Sequence, residues 1–381
     1  MMNRVLFVVI ISLVLLNACS APAKPETITP FAQETVEAME TEIAPGTDMA
    51  QPSIVIVDAL GREVTFSKVP SRIVITGKGL IQILDAAYMF PEAPERIVAL
   101  GKATQGTGNF ISLIDPGYGS KKLLENDASA EQIAAVQPDL VILKSYLAET
   151  VGKPIETLNI PVVYVDFETP EQYTRDLAIL GKVFQNESRA QELVDFYQNK
   201  VNFIQEALKD VKEKPSVLML YHNDKDGAVA FSVPPMTWIQ TQMVELAGGM
   251  PVWGSANPGK GWTVVTLEQI AAWNADQIFI IAYQKDSSEI TASLKNDPQW
   301  SALRAVKEGH LYGFPADLYS WDQPDSRWIL GLSWLAARLH PDRFPQFDIV
   351  AEAQQFYQRL YGLDVQFFES RIKPTFRGDL P

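Results

Sequence analysis

One cysteine, Cys19, occurs in the 381 residues. A lone cysteine excludes internal disulfides, a Cys-based zinc site and the thiolate set of an iron–sulfur cluster. Histidine is nearly as scarce. His222, His310 and His340 are scattered through the second half, and no His-rich loop offers the converging ligands that a free zinc or manganese ion needs. There is no HExxH pair, no nucleophile elbow and no phosphate-loop motif, so no catalytic residue is nominated. Bases are outnumbered, 32 against 46 acids for a net charge of −14, and they form no basic run, which argues against nucleic acid as a partner. The longest apolar stretch, from Val5 to Leu16, is too short to span a bilayer as a stable helix.

That stretch has another reading. A positive charge at Arg4, a short apolar core and small residues ahead of Cys19 describe an export signal over residues 1–18, with Cys19 where a bacterial lipoprotein carries its acyl chains. The protein is thus expected outside the cytoplasm, held to the cell membrane by lipidated Cys19. Residues 19–51 hold six acids, one base (Lys24) and a single aromatic, too little apolar surface to offset the entropy of ordering, so they read as a flexible acidic tether.

The long stretch from 187 to 214 contains neither glycine nor proline. Ala190, Val194, Tyr197, Val201, Ile204, Leu208 and Val211 recur at spacings of four and three, which predicts one long helix with a single apolar stripe, N-capped by Ser188 and stopped by Pro215. The segments flanking it resemble each other. Ser129-Ala130-Glu131-Gln132-Ile133-Ala134-Ala135 runs through Asp139 into Leu140-Val141-Ile142, and Thr266-Leu267-Glu268-Gln269-Ile270-Ala271-Ala272 runs through Asp276 into Gln277-Ile278-Phe279. Each copy is a short helix feeding a buried strand, which implies two lobes of one design on either side of a rigid strut.

Around these landmarks, short wholly apolar strands alternate with helices. A hairpin is expected over residues 54–66 and strands over 72–75, 96–100, 140–143, 162–165, 216–220, 277–281 and 310–314, with helices over 327–339 and 350–360 near the end. The fold class is therefore α/β: two parallel-sheet, Rossmann-like lobes joined by one long helix, each sheet covered on both faces. The expected division is an N-terminal lobe at 52–185, the linking helix at 186–214 and a C-terminal lobe at 215–381.

The hairpin Asp58-Ala59-Leu60-Gly61-Arg62, the repeated Glu-Gln-Ile-Ala-Ala segments, Gln137-Pro138-Asp139-Leu140-Val141-Ile142 and the single linking helix together resemble the substrate-binding lipoproteins of ABC importers, of the class handling ferric siderophores, haem and cobalamin. The resemblance covers residues 54–362. It implies a shallow cleft between lobes that open little, no permanently bound cofactor, a metal-chelate ligand and a permease dimer as partner. It also implies one surface glutamate per lobe docking on that permease, which by position in the repeat are Glu131 and Glu268; an acid in a first helical turn is also explained by the helix dipole alone.

Ligands of parallel sheets gather at the carboxyl ends of the strands. The loops there supply Lys78, Lys102, Tyr146, Phe167, Tyr221, His222, Trp238, Tyr283, Tyr319, Trp321 and Arg327 as candidate ligand contacts. Aromatic faces suit a large planar or caged ligand, and Lys or Arg its anionic groups. Core packing is the competing reading for the tryptophans, and pairing with Asp322 or Asp325 for Arg327. A siderophore, haem and a corrinoid remain alternatives; so does an oxyanion such as molybdate, bound at helix N-termini beside Thr76-Gly77 and Gly101. A chelatase-like enzyme and a surface protein without ligand are the readings from other classes.

Overall fold

A computed structural model describes residues 53–225, 228–257, 259 and 261–380. The expected leader 1–18, Cys19 and the tether 19–51 lie outside the described residues. Among the described residues no helix is long and apolar enough to cross a membrane.

The chain opens with an antiparallel hairpin, β1 (Ile54–Val57) and β2 (Glu63–Phe66). Its turn is held by buried Asp58, whose Oδ1 accepts from the backbone of Leu60 and Arg62 at 2.9 and 3.1 Å, while Gly61 takes the left-handed conformation at φ 74°.

Five strands then build the first sheet: β3 (Ile73–Ile75), β4 (Ile97–Gly101), β5 (Lys122–Leu124), β6 (Leu140–Lys144) and β7 (Val162–Val165). They run parallel in the order β5-β4-β3-β6-β7. Every residue of β3, β6 and β7 is buried, as strands covered on both faces must be. From β3 the chain fills one side of the sheet and then the other, so the order reverses between β3 and β6. A doubly wound sheet leaves its ligand crevice at that point.

The second sheet comprises β8 (Ser216–Lys225), β9 (Ala228–Val233), β10 (Met250–Pro251), β11 (Thr263–Val265), β12 (Gln277–Ile281) and β13 (Leu311–Gly313). Here the expectation of a wholly parallel sheet needs correcting. β8, β10, β12 and β13 are parallel, but β9 and β11 add antiparallel pairs on one side. The cause is local: β8 continues past Leu220 through Lys225 and pairs back on β9, so residues 221–223 are strand rather than loop.

The two repeat copies fold alike in detail. Ser129 and Thr266 each cap a short helix, Ala130–Ala134 and Leu267–Trp273, and each closes a capping box with Gln132 or Gln269. Gln137 and Asn274 leave those helices with φ of 54° and 46°. Asp139 then accepts from the backbone and hydroxyl of Ser71 beside β3, and Asp276 does the same for Ser216 at the start of β8. The shared aspartate thus fixes the register of paired central strands in both lobes.

The linking helix is Glu187–Leu208, 22 residues and so about 33 Å long. It is shorter than expected. Asn186, not Ser188, caps it by accepting from the Arg189 amide at 3.1 Å. It stops after Leu208 because the following Lys209-Asp210-Val211-Lys212-Glu213-Lys214 offers only half-buried Val211 to the core. Arg189 ties the helix to both lobes, donating to Met89 O at 3.0 Å and to Arg359 O and Leu360 O at 2.9 Å.

One apolar core runs through both lobes. Trp328 opens the helix Trp328–Leu339 and stacks on Tyr197 of the linking helix at 5.5 Å, with Tyr173 edge-on at 6.0 Å. Phe110 of the first lobe meets Tyr361 and Tyr357 of the C-terminal helix Ile349–Tyr361 at 4.8 and 5.7 Å. Beside them, fully buried Arg327 binds Asp85 of the first lobe and Asp317 and Asp325 of the second. Lobes sharing a core and a buried ion network resist wide opening.

Candidate functional site

The loops after the strands meet in a cleft of about 770 Å³ with one wall from each lobe. On the first-lobe wall, residues 78–80 follow β3, Thr104 and Gln105 follow β4, Asn126 follows β5, Tyr146 follows β6 and Glu168 follows β7. Every strand of that sheet therefore points its carboxyl end at the cleft. The Tyr146 hydroxyl donates to Lys78 O at 2.9 Å, which bridges the two loops at the point where strand order reverses. Gly77 and Gly79 turn the chain with φ of 90° and 72° and deliver it into the helix Leu80–Ala87, which adds Gln82.

On the opposite wall, Trp238 and Gln240 come from the start of the helix Ile239–Leu246, Trp262 precedes β11, Tyr283 follows β12, and Gln323 and Pro324 belong to the loop after β13. The aromatics form one cluster: Trp238 meets Trp262 edge-on at 5.7 Å, and Tyr221 stacks on Tyr283 at 4.7 Å and meets Trp262 at a tilt at 5.0 Å. Behind them sits Asp322, wholly buried, which accepts from Gln240 Nε2 and the Tyr283 hydroxyl at 3.1 Å each and from Ser320. Burial pushes its carboxyl up to about 6 despite those three donors. Asp322 therefore orients two lining residues without facing the cleft.

Among the described residues, Lys78 is the one lining cation, and the one lining carboxylate, Glu168, pairs with buried Lys144 at 2.5 Å. Gln323 Nε2 donates across the lobes to Gln105 O at 3.1 Å, and Thr107 N to Leu318 O at 2.9 Å, which closes one side of the cleft.

Of the residues expected at the site, Lys78, Tyr146, Trp238 and Tyr283 line the cleft. Tyr221 and His222, being in β8, face an adjoining small recess with Asp224 and Lys285. His222 packs edge-on to Phe231 at 5.5 Å, and burial, then nearby Lys285, lowers its pKa. Lys102 lies on exposed surface in an ion pair with Glu125. Phe167, Tyr319, Trp321 and Arg327 do not reach the cleft. Phe167 packs on Tyr173 at 5.0 Å, Trp321 donates to Asp317 at 3.1 Å and lies against Phe376, and Arg327 is the hub of the inter-lobe ion network. Arg327 does pair with Asp325, one of the two partners expected, at 3.5 Å. Gln82, Gln105, Asn126, Gln240 and Gln323 were not anticipated, since an amide carries no spacing signature. Their places directly after strands or at helix starts were the available signal.

Glu131 and Glu268 are exposed at equivalent first-turn positions. A hydrogen bond from the Ser129 hydroxyl, then its own backbone, holds Glu131 below the usual carboxylate range; its own backbone, then the Thr266 hydroxyl, does so for Glu268. Among the described residues no cluster of His, Cys, Asp and Glu could hold a bare metal ion.

Residues 115–318 match the family described as periplasmic binding protein, over more than half of the chain. The molybdate-binding protein MolA of Haemophilus influenzae is 24% identical over 330 residues, covering 81% of this chain and 90% of that one. The Fe(3+)-citrate-binding protein YfmC of Bacillus subtilis is 23% identical over 278 residues, covering 72% and 82%. A crystal structure of a periplasmic solute binding protein from Veillonella parvula superposes with a TM-score of 0.66 at 23% identity, covering 84% and 96%.

Proposed function

Since the chain belongs to the periplasmic binding protein family and is a solute-binding component of an ABC transporter, we propose that its cargo is a metal chelate, a ferric siderophore, haem or a corrinoid, carried in the inter-lobe cleft. The observation that carries this reading is the cleft itself. A volume of about 770 Å³ walled by Tyr146, Trp238, Trp262 and Tyr283 suits an organic ligand with broad apolar faces. The cargo is held and released unchanged, and none of the lining residues is assigned a catalytic step. Delivery uses Glu131 and Glu268, whose matched exposed positions on two similar lobes fit a two-fold pair of permease subunits. Cys19 supplies the lipid anchor at the outer face of the membrane.

The test is transport with purified permease in vesicles. Glu131→Arg with Glu268→Arg is expected to abolish uptake and leave chelate affinity at the wild-type value; lost affinity, or intact uptake, refutes the docking assignment.

Molybdate is the second reading, favoured by the likeness to MolA. The helix Leu80–Ala87 opens at the cleft behind Gly79, with no acid in its first turn, where backbone N–H groups could receive an anion. Against it stands the cleft's size, many times that of a tetrahedral oxyanion, and its aromatic wall. Calorimetry with molybdate and with chelates separates the two.

A further inference from the structure

Lys144 ends β6, beside the point where strand order reverses, and its side chain is only 1% exposed. A buried ammonium is costly unless it is paired. Here it donates to Asp166 O and pairs with Glu168 at 2.5 Å, the one carboxylate within ion-pair reach of it among the described residues. The lysine runs directly behind the first-lobe wall. A Cβ built on the lining residue Gly79 would lie 3.4 Å from Lys144 Cε and 3.1 Å from the Tyr146 hydroxyl. Glu168, by contrast, belongs to the lining itself, with 39% of its side chain exposed.

The loop after β7 is built to put that carboxylate there. Phe167 takes the left-handed conformation at φ 56°, an outlier for a bulky residue that persists only where its surroundings enforce it. Asp176 enforces it by accepting from the amides of Asp166 and Phe167 at 2.6 and 2.7 Å, while the Phe167 ring is buried against Tyr173. Arg175 braces the same turn, reaching Asp176 at 2.8 Å and Asp166 at 2.6 Å. The Asp166 carboxylate is thereby spent on Arg175 and Ser145, and the buried ammonium is left to Glu168. The cation is fixed from behind; its counterion is held from one side and open to the cleft on the other.

We propose, resting on the carrier reading only for the cargo that is turned away, that Glu168 occupies an anion site on Lys144 in the first-lobe wall and is thereby a specificity-determining residue. The cleft refuses a carboxylate at this point because its own already stands there. A cargo with an anionic arm here must displace Glu168 and leave that carboxylate beside it without its cation, whereas an uncharged face leaves the pair intact. Truncating Glu168 vacates a space that opens on the cleft and lies within reach of the Lys144 ammonium, because the departing carboxylate filled it. A carboxylate from solution can then take its place.

The test compares the purified full chain with Glu168→Ala and with the Glu168→Ala, Lys144→Met double variant. Sodium formate, against sodium chloride at equal ionic strength, is expected to raise the melting temperature of Glu168→Ala at least about 2 °C more than that of wild type. In calorimetry the same variant should bind ferric citrate at least about tenfold tighter than wild type, with the affinity for an uncharged ferric trihydroxamate changed less than about threefold. Both gains should vanish in the double variant. Gains that survive the loss of Lys144 report only the deleted negative charge and overturn the inference, as does a formate response equal to that of wild type. If the double variant fails to fold by circular dichroism, the formate response decides alone. If Glu168→Ala fails to fold, Glu168→Gln is read in its place, since its neutral amide yields to a carboxylate. Stabilisation of Glu168→Ala by formate with no chelate bound by any form supports the masked anion site and refutes the carrier reading.

Discussion

Replacing Arg327 by leucine would remove the cation that joins the lobes. The guanidinium is fully buried, contacts Asp85, Asp317 and Asp325, and lies over the rings of Phe110 at 4.5 Å and Tyr319 at 4.9 Å. Leucine keeps some apolar contact but leaves three buried carboxylates facing one another. Removing one partner of a buried ion pair costs about 3–5 kcal/mol, because the other charge stays behind without compensation. Burial already raises Asp85 to about 6 and Asp325 well above the ordinary aspartate value, each partly offset by Arg327. Without the arginine both rise further, so the orphaned acids take up protons readily. Urea unfolding followed by tryptophan fluorescence should therefore show a large loss at pH 7 that shrinks at pH 5. Adding Asp85→Leu should recover part of it, since the two sites are in contact and their effects are not additive. A variant within about 1 kcal/mol of wild type at pH 7, or a deficit equal at both pH values, would refute the account of this network.

Asp322 makes a pH prediction of its own. Its folded-state pKa of about 6 lies above the unfolded value, so the folded chain holds the proton between about pH 4 and 6, and stability falls as pH rises through that window. The full effect is roughly 3 kcal/mol; urea midpoints at pH 4.5 and 7 should differ in that direction, and Asp322→Asn should reduce the slope. Gly106→Ala places a methyl carbon 2.2 Å from Leu318 O and 2.3 Å from the Tyr319 ring, so the inter-lobe seam must shift; thermal unfolding should show a loss of about 1–3 kcal/mol, and an unchanged melting temperature would contradict the close approach. Thr266→Ala breaks the second capping box and should cost about 1 kcal/mol in the same assay, with chelate affinity untouched.

The architecture was largely legible because its signals are periodic and redundant. Short apolar strands such as Val162–Val165 and, after its leading glutamine, Gln277–Ile281 appear where expected, and the Glu-Gln-Ile-Ala-Ala repeats carry their caps, left-handed exits and aspartate clamps at matching places. What escaped notice was pairing that local pattern does not encode. Lys122–Leu124 is three residues long with two exposed side chains, and the return of β8 onto β9 depends on tertiary contacts. The cleft was legible as a place rather than as a roster. Strand ends located Lys78, Tyr146 and Tyr283, but side-chain type could not separate Trp238, which lines the cleft, from Trp321, whose ring nitrogen is bound by Asp317 in the interior. Arg327 was a candidate because it follows the loop after the last strand and a guanidinium suits anionic groups; Asp317 and Asp325 of that same loop hold it in the interior instead.

The central claim, that an intact chelate is held between the lobes, is tested most directly by native mass spectrometry with ferric siderophores, haem and cobalamin, on wild type and on the Trp238→Ala, Trp262→Ala double variant. The account predicts a one-to-one adduct whose mass equals that of the unaltered chelate, weakened at least about tenfold when both tryptophans are gone. An adduct of altered mass, no chelate adduct at all, or one indifferent to the loss of both side chains would contradict it.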